Sequence, residues 1–239
     1  MFNIEQFWVG LMEGDGSIQV NHWRKKNIAY RLIIKLKNTL TNEKMLKTIS
    51  KNIGGRVRIT KSFGFGLEDV IWVEDDKDRI VEIIKIFEKY PPLTARKYCQ
   101  LEFLKTCLKH NNIELYLKER DNKYFSAEYN LFKFSSLNNL PCYFPSWLSG
   151  FIEAEGCFSI TAKGVLSFSI GQKYERNLIA CIRDYFNALN YQVIIKPNEF
   201  FEIKIYNKES LKKIIQHCTD FPLQGEKKES LEKFKQLLK

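Results

Sequence analysis

Two stretches of the chain carry the same pattern of apolar and polar positions. Phe7-Trp8-Val9-Gly10-Leu11-Met12-Glu13-Gly14-Asp15-Gly16 is echoed by Trp147-Leu148-Ser149-Gly150-Phe151-Ile152-Glu153-Ala154-Glu155-Gly156. Each is apolar almost all round, as a buried helix is, and each ends in an acid and a glycine before passing into an alternating run. Reading on from the first copy, the spacing predicts a helix from Ile4 to Gly14 and strands Ser17–Asn21 and Tyr30–Lys37 about the basic turn Arg24-Lys25-Lys26. A helix capped by Thr41 or Asn42 runs to about Asn52 and closes at Gly54-Gly55. Strands Arg56–Lys61 and Leu67–Val73 flank a turn over Ser62–Gly66, and helices Lys77–Lys89 and Ala95–Leu108 sit either side of Pro91-Pro92. The order is αββαββα.

The second copy opens the same order. Helix Pro145–Ala154 leads to strands Cys157–Ala162 and Val165–Ile170 around Lys163-Gly164, then a helix over Glu175–Leu189. Strands Gln192–Lys196 and Phe200–Tyr206 flank Pro197-Asn198, and helices Glu209–Thr219 and Glu226–Leu238 follow. A second internal match supports the duplication: Pro92-Leu93, Lys97, Leu101-Glu102 and Leu104-Lys105 recur as Pro222-Leu223, Lys227, Leu231-Glu232 and Phe234-Lys235. The expected organisation is a first half over 1–108, a polar linker over 109–144 and a second half over 145–239. The fold class is α+β, with two pseudo-symmetric halves, each carrying an antiparallel sheet.

Gly10 and Gly14, like Gly150 and Ala154, stand four apart on one helix face, where small residues let two helices approach backbone to backbone. A helix C-terminus carries partial negative charge and exposed carbonyls, so Asp15 and Glu155 are poorly placed there unless a cation compensates. Carboxylates and carbonyl oxygens, here those of Gly14 and Ala154, are the hard ligands that Mg²⁺ prefers. Glu13 and Glu153 lie two residues earlier, about 200° round the helix, and read as structural.

Composition adds a partner. A net charge of +10 favours a polyanion, nucleic acid before membrane. No apolar run is long enough to span a bilayer and no signal-peptide pattern precedes the first helix, so neither membrane nor export is expected. The six cysteines form no CxxC pair and His22, His110 and His217 are far apart, which argues against zinc and against His-dependent hydrolysis. Alternation on the strands gives candidate nucleic-acid faces. In the first half these are Gln19, Asn21, Arg31, Lys35, Lys37, Arg56, Arg58 and Thr60. In the second they are Ser159, Thr161, Ser167, Ser169, Gln172, Lys196, Glu202, Lys204 and Tyr206. A two-stranded ribbon fits the major groove of DNA.

The duplicated motif, with both acids present, resembles the two signature helices of a single-chain LAGLIDADG homing endonuclease. That resemblance implies that the motif helices pack at the seam of a DNA-binding saddle, with Asp15 and Glu155 binding the divalent metals. Mg²⁺ is the expected cofactor, with Mn²⁺ or Ca²⁺ able to substitute for binding. The matched Lys97 and Lys227 are the candidate ammonium groups beside the metals, and Gln172 resembles a polar active-site residue whose first-half counterpart is Leu36 or Lys37. The implied activity is a double-strand break in a long, asymmetric DNA site by phosphodiester hydrolysis, serving the mobility of an intron. A monomer acting on double-stranded DNA, encoded in an organelle (mitochondrion before chloroplast), is the corresponding expectation. The alternative is an RNA maturase acting on its own intron RNA, or a non-cleaving binder with the same fold.

Overall fold

The computed structural model describes residues 2–61, 68–124 and 140–238. The expected turn over 62–66, the residue that was to open the fourth strand and the stretch 125–139 of the linker lie outside the described residues. The elements are α1 (Ile4–Gly14), β1 (Gly16–Trp23), β2 (Asn27–Lys37), α2 (Leu40–Ile53), β3 (Arg56–Lys61), β4 (Glu68–Glu74), α3 (Lys77–Lys89), α4 (Ala95–His110) and α5 (Ile113–Glu119). They continue with α6 (Phe144–Glu155), β5 (Cys157–Ile160), β6 (Leu166–Lys173), α7 (Arg176–Tyr185), β7 (Ile194–Lys196), β8 (Phe200–Ile205), α8 (Lys208–Asp220) and α9 (Lys227–Leu237). The chain divides into two compact units, one built from β1 through α5 and the other from α1 together with α6 through α9.

In the first of these units the strands pair antiparallel in the order β1-β2-β4-β3. Ile18, Leu32, Ile34, Val70 and Trp72 point to one face, where α2, α3 and α4 pack and all five are buried. The alternation of β2 is what selects that face, because Arg31, Lys35 and Lys37 on the intervening positions stay exposed. The other unit repeats the arrangement as β5-β6-β8-β7, with α7 and α9 on its apolar side. Phe168, Ile170, Ile203 and Ile205 fill that side.

Several element ends differ from those expected. The cap of α2 is Thr39, not Thr41 or Asn42: its hydroxyl accepts the Asn42 N–H, while Asn42 is buried and donates to the Lys37 carbonyl. Helix α7 stops at Tyr185, where Asn187 takes a left-handed conformation, so the residues to Leu189 form a turn. Helix α5 falls in the stretch expected to be linker. Seven residues are too few to show a helical period, although Asn112 caps it and Tyr116 is buried beneath it.

The motif helices α1 and α6 pack on each other more extensively than any other pair of elements. A Cβ placed on Gly10 would lie 1.9 Å from the Trp147 carbonyl oxygen, and one on Gly150 would lie 1.9 Å from that of Phe7. The contact is reciprocal and made by backbone, and the large neighbours Phe7, Trp8, Leu11, Trp147, Leu148 and Phe151 close over it with no exposure. Carbonyls cannot rotate out of the way as a side chain can, so Gly10→Ala or Gly150→Ala should cost at least about 3 kcal/mol in urea unfolding. Gly164→Ala is the comparison: it has open space and only its positive φ of 75° against it, and it should cost about 1 kcal/mol. Equal losses in the two cases would show that the seam can part.

Candidate functional site

At the C-terminal ends of the helix pair the spacing is again set by small residues. A Cβ on Gly14 would lie 2.2 Å from Ala154 Cβ and 3.3 Å from Glu155 Oε1. Glu155, the last residue of α6, is half-buried and accepts a hydrogen bond of 3.1 Å from Gln172 Nε2. Asp15 follows the last residue of α1 and is exposed. The duplicated lysines hold the same relation in both copies: Lys97 Nζ donates to the Gly16 carbonyl, and Lys227 Nζ to those of Gly156 and Ala154, the latter at 3.2 Å. Each ammonium thus caps the carbonyl of the glycine that follows the acid. A cation is favoured where a helix ends, which accounts for Lys97 being almost fully buried.

Glu13 and Glu153 are buried and engaged in packing. Glu13 accepts the Trp147 indole N–H at 2.6 Å. Glu153 accepts the backbone N–H groups of Gln224, Gly225 and Lys227 at 3.0–3.1 Å and so caps the start of α9. Burial pushes the Glu153 carboxyl above its ordinary range, with those three amides pulling the other way.

Gln172 does not lie on the outward sheet face where alternation alone put it. It pairs with Phe201, in step with Ile170 and Ile203 on the helix side, which is how it reaches Glu155. The same register resolves its counterpart. Ile34 pairs with Trp72 as Ile170 pairs with Ile203, so Leu36 matches Gln172, and Lys37 falls on the opposite face beside Asp69. Each motif helix ends with a carboxylate next to a backbone carbonyl, that of Gly14 in the first copy and of Ala154 in the second, and such hard oxygen donors fit Mg²⁺. Among the described residues no three His, Cys, Asp or Glu side chains gather into a cage.

The eight candidates on the first sheet share one face. Gln19 lies opposite Arg31, Lys35 and Arg58 flank Ile71, and Lys37 and Thr60 flank Asp69, all on the side away from the helices. Val73, between Ile33 and Arg56, and Ile71, between Lys35 and Arg58, also point outward yet are buried. Asp75 and Asp69, absent from the expected face, stand among these cations. Arg56 forks onto Asp75 at 2.7 and 2.8 Å, and Lys35 reaches Asp69 at 2.8 Å. The Arg56 guanidinium holds the Asp75 carboxyl below its ordinary range. Extending the alternation of β4 back from Val73 through Ile71 would have found Asp69. On the second sheet Ser159, Ser169, Glu202, Lys204 and Lys196 share the outward face, with Lys196 paired to Glu202 at 2.6 Å. Thr161 and Tyr206 lie just past the ends of β5 and β8. Ser167 has the right parity but is 2% exposed, too recessed to present its hydroxyl.

A family model described as LAGLIDADG endonuclease matches residues 8–107 and again 148–238. The chain belongs to the LAGLIDADG endonuclease family. It is 47% identical to the probable intron-encoded endonuclease aI3 of Dictyostelium citrinum, over 98% of this chain and 94% of that one. It is 44% identical to the protein of the same name from Debaryomyces hansenii, covering 97% of this chain but 37% of that longer one. In structure it resembles the I-LtrWI LAGLIDADG homing endonuclease bound to target DNA, with a TM-score of 0.73 at 23% identity over 98% of this chain and 89% of the other.

One further cluster anchors the second LAGLIDADG helix. Ser149 Oγ donates to the Phe221 carbonyl at 2.7 Å and lies 3.1 Å from His217 Nε2, while the Tyr185 hydroxyl is 3.2 Å from Nδ1. With Ser149 committed to that carbonyl, the consistent tautomer has Nε2–H donating to Ser149 and Nδ1 accepting from Tyr185. Both ring nitrogens are used by a neutral imidazole, and burial lowers the His217 pKa to about 4. A serine next to a histidine here is a structural tie between α6 and α8. Above pH 6.5 neither the folded nor the unfolded state protonates this ring. Between about pH 6.5 and 4 the unfolded chain takes up the proton and the folded one does not, so stability falls with pH, by about 3 kcal/mol in all. Urea titrations across that window should show the loss, and His217→Gln should flatten it.

Proposed function

We propose that this chain is a site-specific, metal-dependent DNA endonuclease that makes a double-strand break in a long, asymmetric target. The observation that carries the reading is the duplicated helix pair crossing at Gly10 and Gly150, which gives each copy one acid at its C-terminal end. The outward sheet faces meet the duplex, and Asp15 beside the Gly14 carbonyl and Glu155 beside the Ala154 carbonyl would each hold Mg²⁺ at a scissile phosphate. Divalent ions bound there would supply Lewis-acid stabilisation of the charge that grows on the phosphoryl oxygens and on the leaving 3′ oxygen.

The chain's own groups do the rest. Lys97 and Lys227 keep fixed ammonium charge next to the reacting phosphates, where a positioned cation is worth most. Gln172 orients the Glu155 carboxylate through its amide N–H. The first repeat has Leu36 in that place, so the two strands are cut in unlike surroundings. Basic residues on the outward faces fix the duplex through its phosphates, and polar ones read base edges. The cutting serves the mobility of an intron in an organellar gene, a reading supported by relatives named as probable intron-encoded endonucleases and by one named as a mitochondrial protein.

Cleavage of a genomic or randomised DNA library with Mg²⁺ tests this directly. Discrete double-strand cuts are expected, abolished by a chelator and reduced by about 100-fold or more in Asp15→Asn and Glu155→Gln, while both variants still bind the selected site. Lys97→Met and Lys227→Met should lower kcat by about 100-fold with KM little changed. Tight binding of one sequence without cuts, indifferent to either acid, would overturn the nuclease in favour of a binder or an RNA maturase.

A further inference from the structure

A carboxylate on a surface that meets phosphates repels them, so an acid there weakens binding unless it does something else. The first sheet carries one that is held with care. Asp75 follows β4, and the buried Glu74 carboxylate accepts the backbone N–H groups of both Asp75 and Asp76 through Oε1, at 3.0 and 2.9 Å. Asp76 in turn caps α3. The Asp75 carboxylate therefore stands on a short segment fixed at both ends. Arg56 on β3 grips it with both terminal nitrogens, and Arg31 on β2 lies 4.0 Å away. Since β4 runs between β2 and β3, one carboxylate governs an arginine on each side.

Stability does not explain the arrangement. The pair is half-exposed, and such pairs contribute little to folding. Orientation does. A guanidinium has five donors in a rigid plane, and the fork onto Asp75 uses one N–H of each terminal nitrogen, leaving Nε–H and the second Nη2–H side by side along one edge as a further pair of donors. Guanine offers the matching two acceptors, N7 and O6, in the major groove. A freely rotating arginine binds phosphate equally well but reads bases poorly, because its side-chain entropy must be lost on contact.

We propose that Asp75 is a positioning residue for base recognition: it holds Arg56, and Arg31 beside it, so that the first sheet discriminates a guanine-containing base pair in its part of the target. The proposal rests on the reading of the chain as a protein that recognises a DNA site. It assigns Asp75 to specificity, at some expense in general affinity.

The test starts by selecting the preferred duplex of the wild-type chain from a randomised library in Ca²⁺. Binding is then measured to every single-base-pair variant of that duplex for wild type, Asp75→Asn, Arg56→Lys and the double variant. Asp75→Asn should lose about tenfold of discrimination at one or two adjacent base pairs, one of them carrying guanine, and nowhere else. Its binding to unrelated duplex should hold or rise, since a negative charge has gone. Arg56→Lys, which keeps the charge and loses the fork, should flatten the same positions, and the double variant should be no worse than either. Losses spread evenly over all positions would reduce Asp75 to a structural role, and an unchanged profile would reduce it to a solvated surface acid. If Asp75→Asn does not fold, Arg56→Lys decides alone by whether its losses are confined or spread. A wild-type chain that selects no preferred sequence would instead sink the DNA-target reading itself.

Discussion

The contact on which the rest depends is the one made without side chains. With hydrogen in place of a methyl group at Gly10 and Gly150, each motif helix rests on a carbonyl of the other. Two helices that close expose no face to water, which is why both segments are apolar all round. Their polar residues, Glu13, Ser146, Ser149 and Glu153, are buried with hydrogen-bond partners drawn from the facing helix or from the loops and helices packed beneath. Each helix also ends with free carbonyls and an acid beside them, a concentration of negative charge that favours cations. The two lysines answer part of that need from within the chain.

The duplication, both motif helices and the faces of the first sheet were legible because each rests on a local period. Alternation sorts Arg31, Lys35 and Lys37 from Leu32, Ile34 and Leu36 whatever lies around them. The errors fall where register or tertiary packing decides. Gln172 sits at a strand end, and only its pairing with Phe201 shows which side it takes. Ser167 follows the alternation and is buried all the same, since parity gives direction and not depth. Thr39 outcompetes Thr41 as a cap because Asn42 is pulled inward to the Lys37 carbonyl, a contact that no capping preference encodes. Arg56 was visible as a cation, whereas its fork onto Asp75 depends on a turn whose course the sequence does not spell out.

Each outward face carries acids among its bases. Asp69, Asp75 and Glu202 each hold a neighbouring cation, so the basic side chains on the two faces overstate what the sheets offer to phosphate. A face of unopposed lysines would grip any duplex. One whose cations are partly satisfied by fixed carboxylates gives up general attraction and gains from geometry, which favours discrimination over tenacity.

The indole of Trp147 bears on how the two copies recognise each other. Phe7 occupies the corresponding place in α1, so the hydrogen bond to Glu13 has no mirror image across the pair. The backbone contact is indifferent to which helix meets which, but this one is not. If the first helices of two separate chains came together, each would bring a buried glutamate and neither would bring the indole N–H that Glu13 accepts here. The penalty for a buried carboxylate deprived of a donor would fall twice on such a mismatched pair. That hydrogen bond therefore distinguishes α6 from a second copy of α1 as the helix that α1 meets.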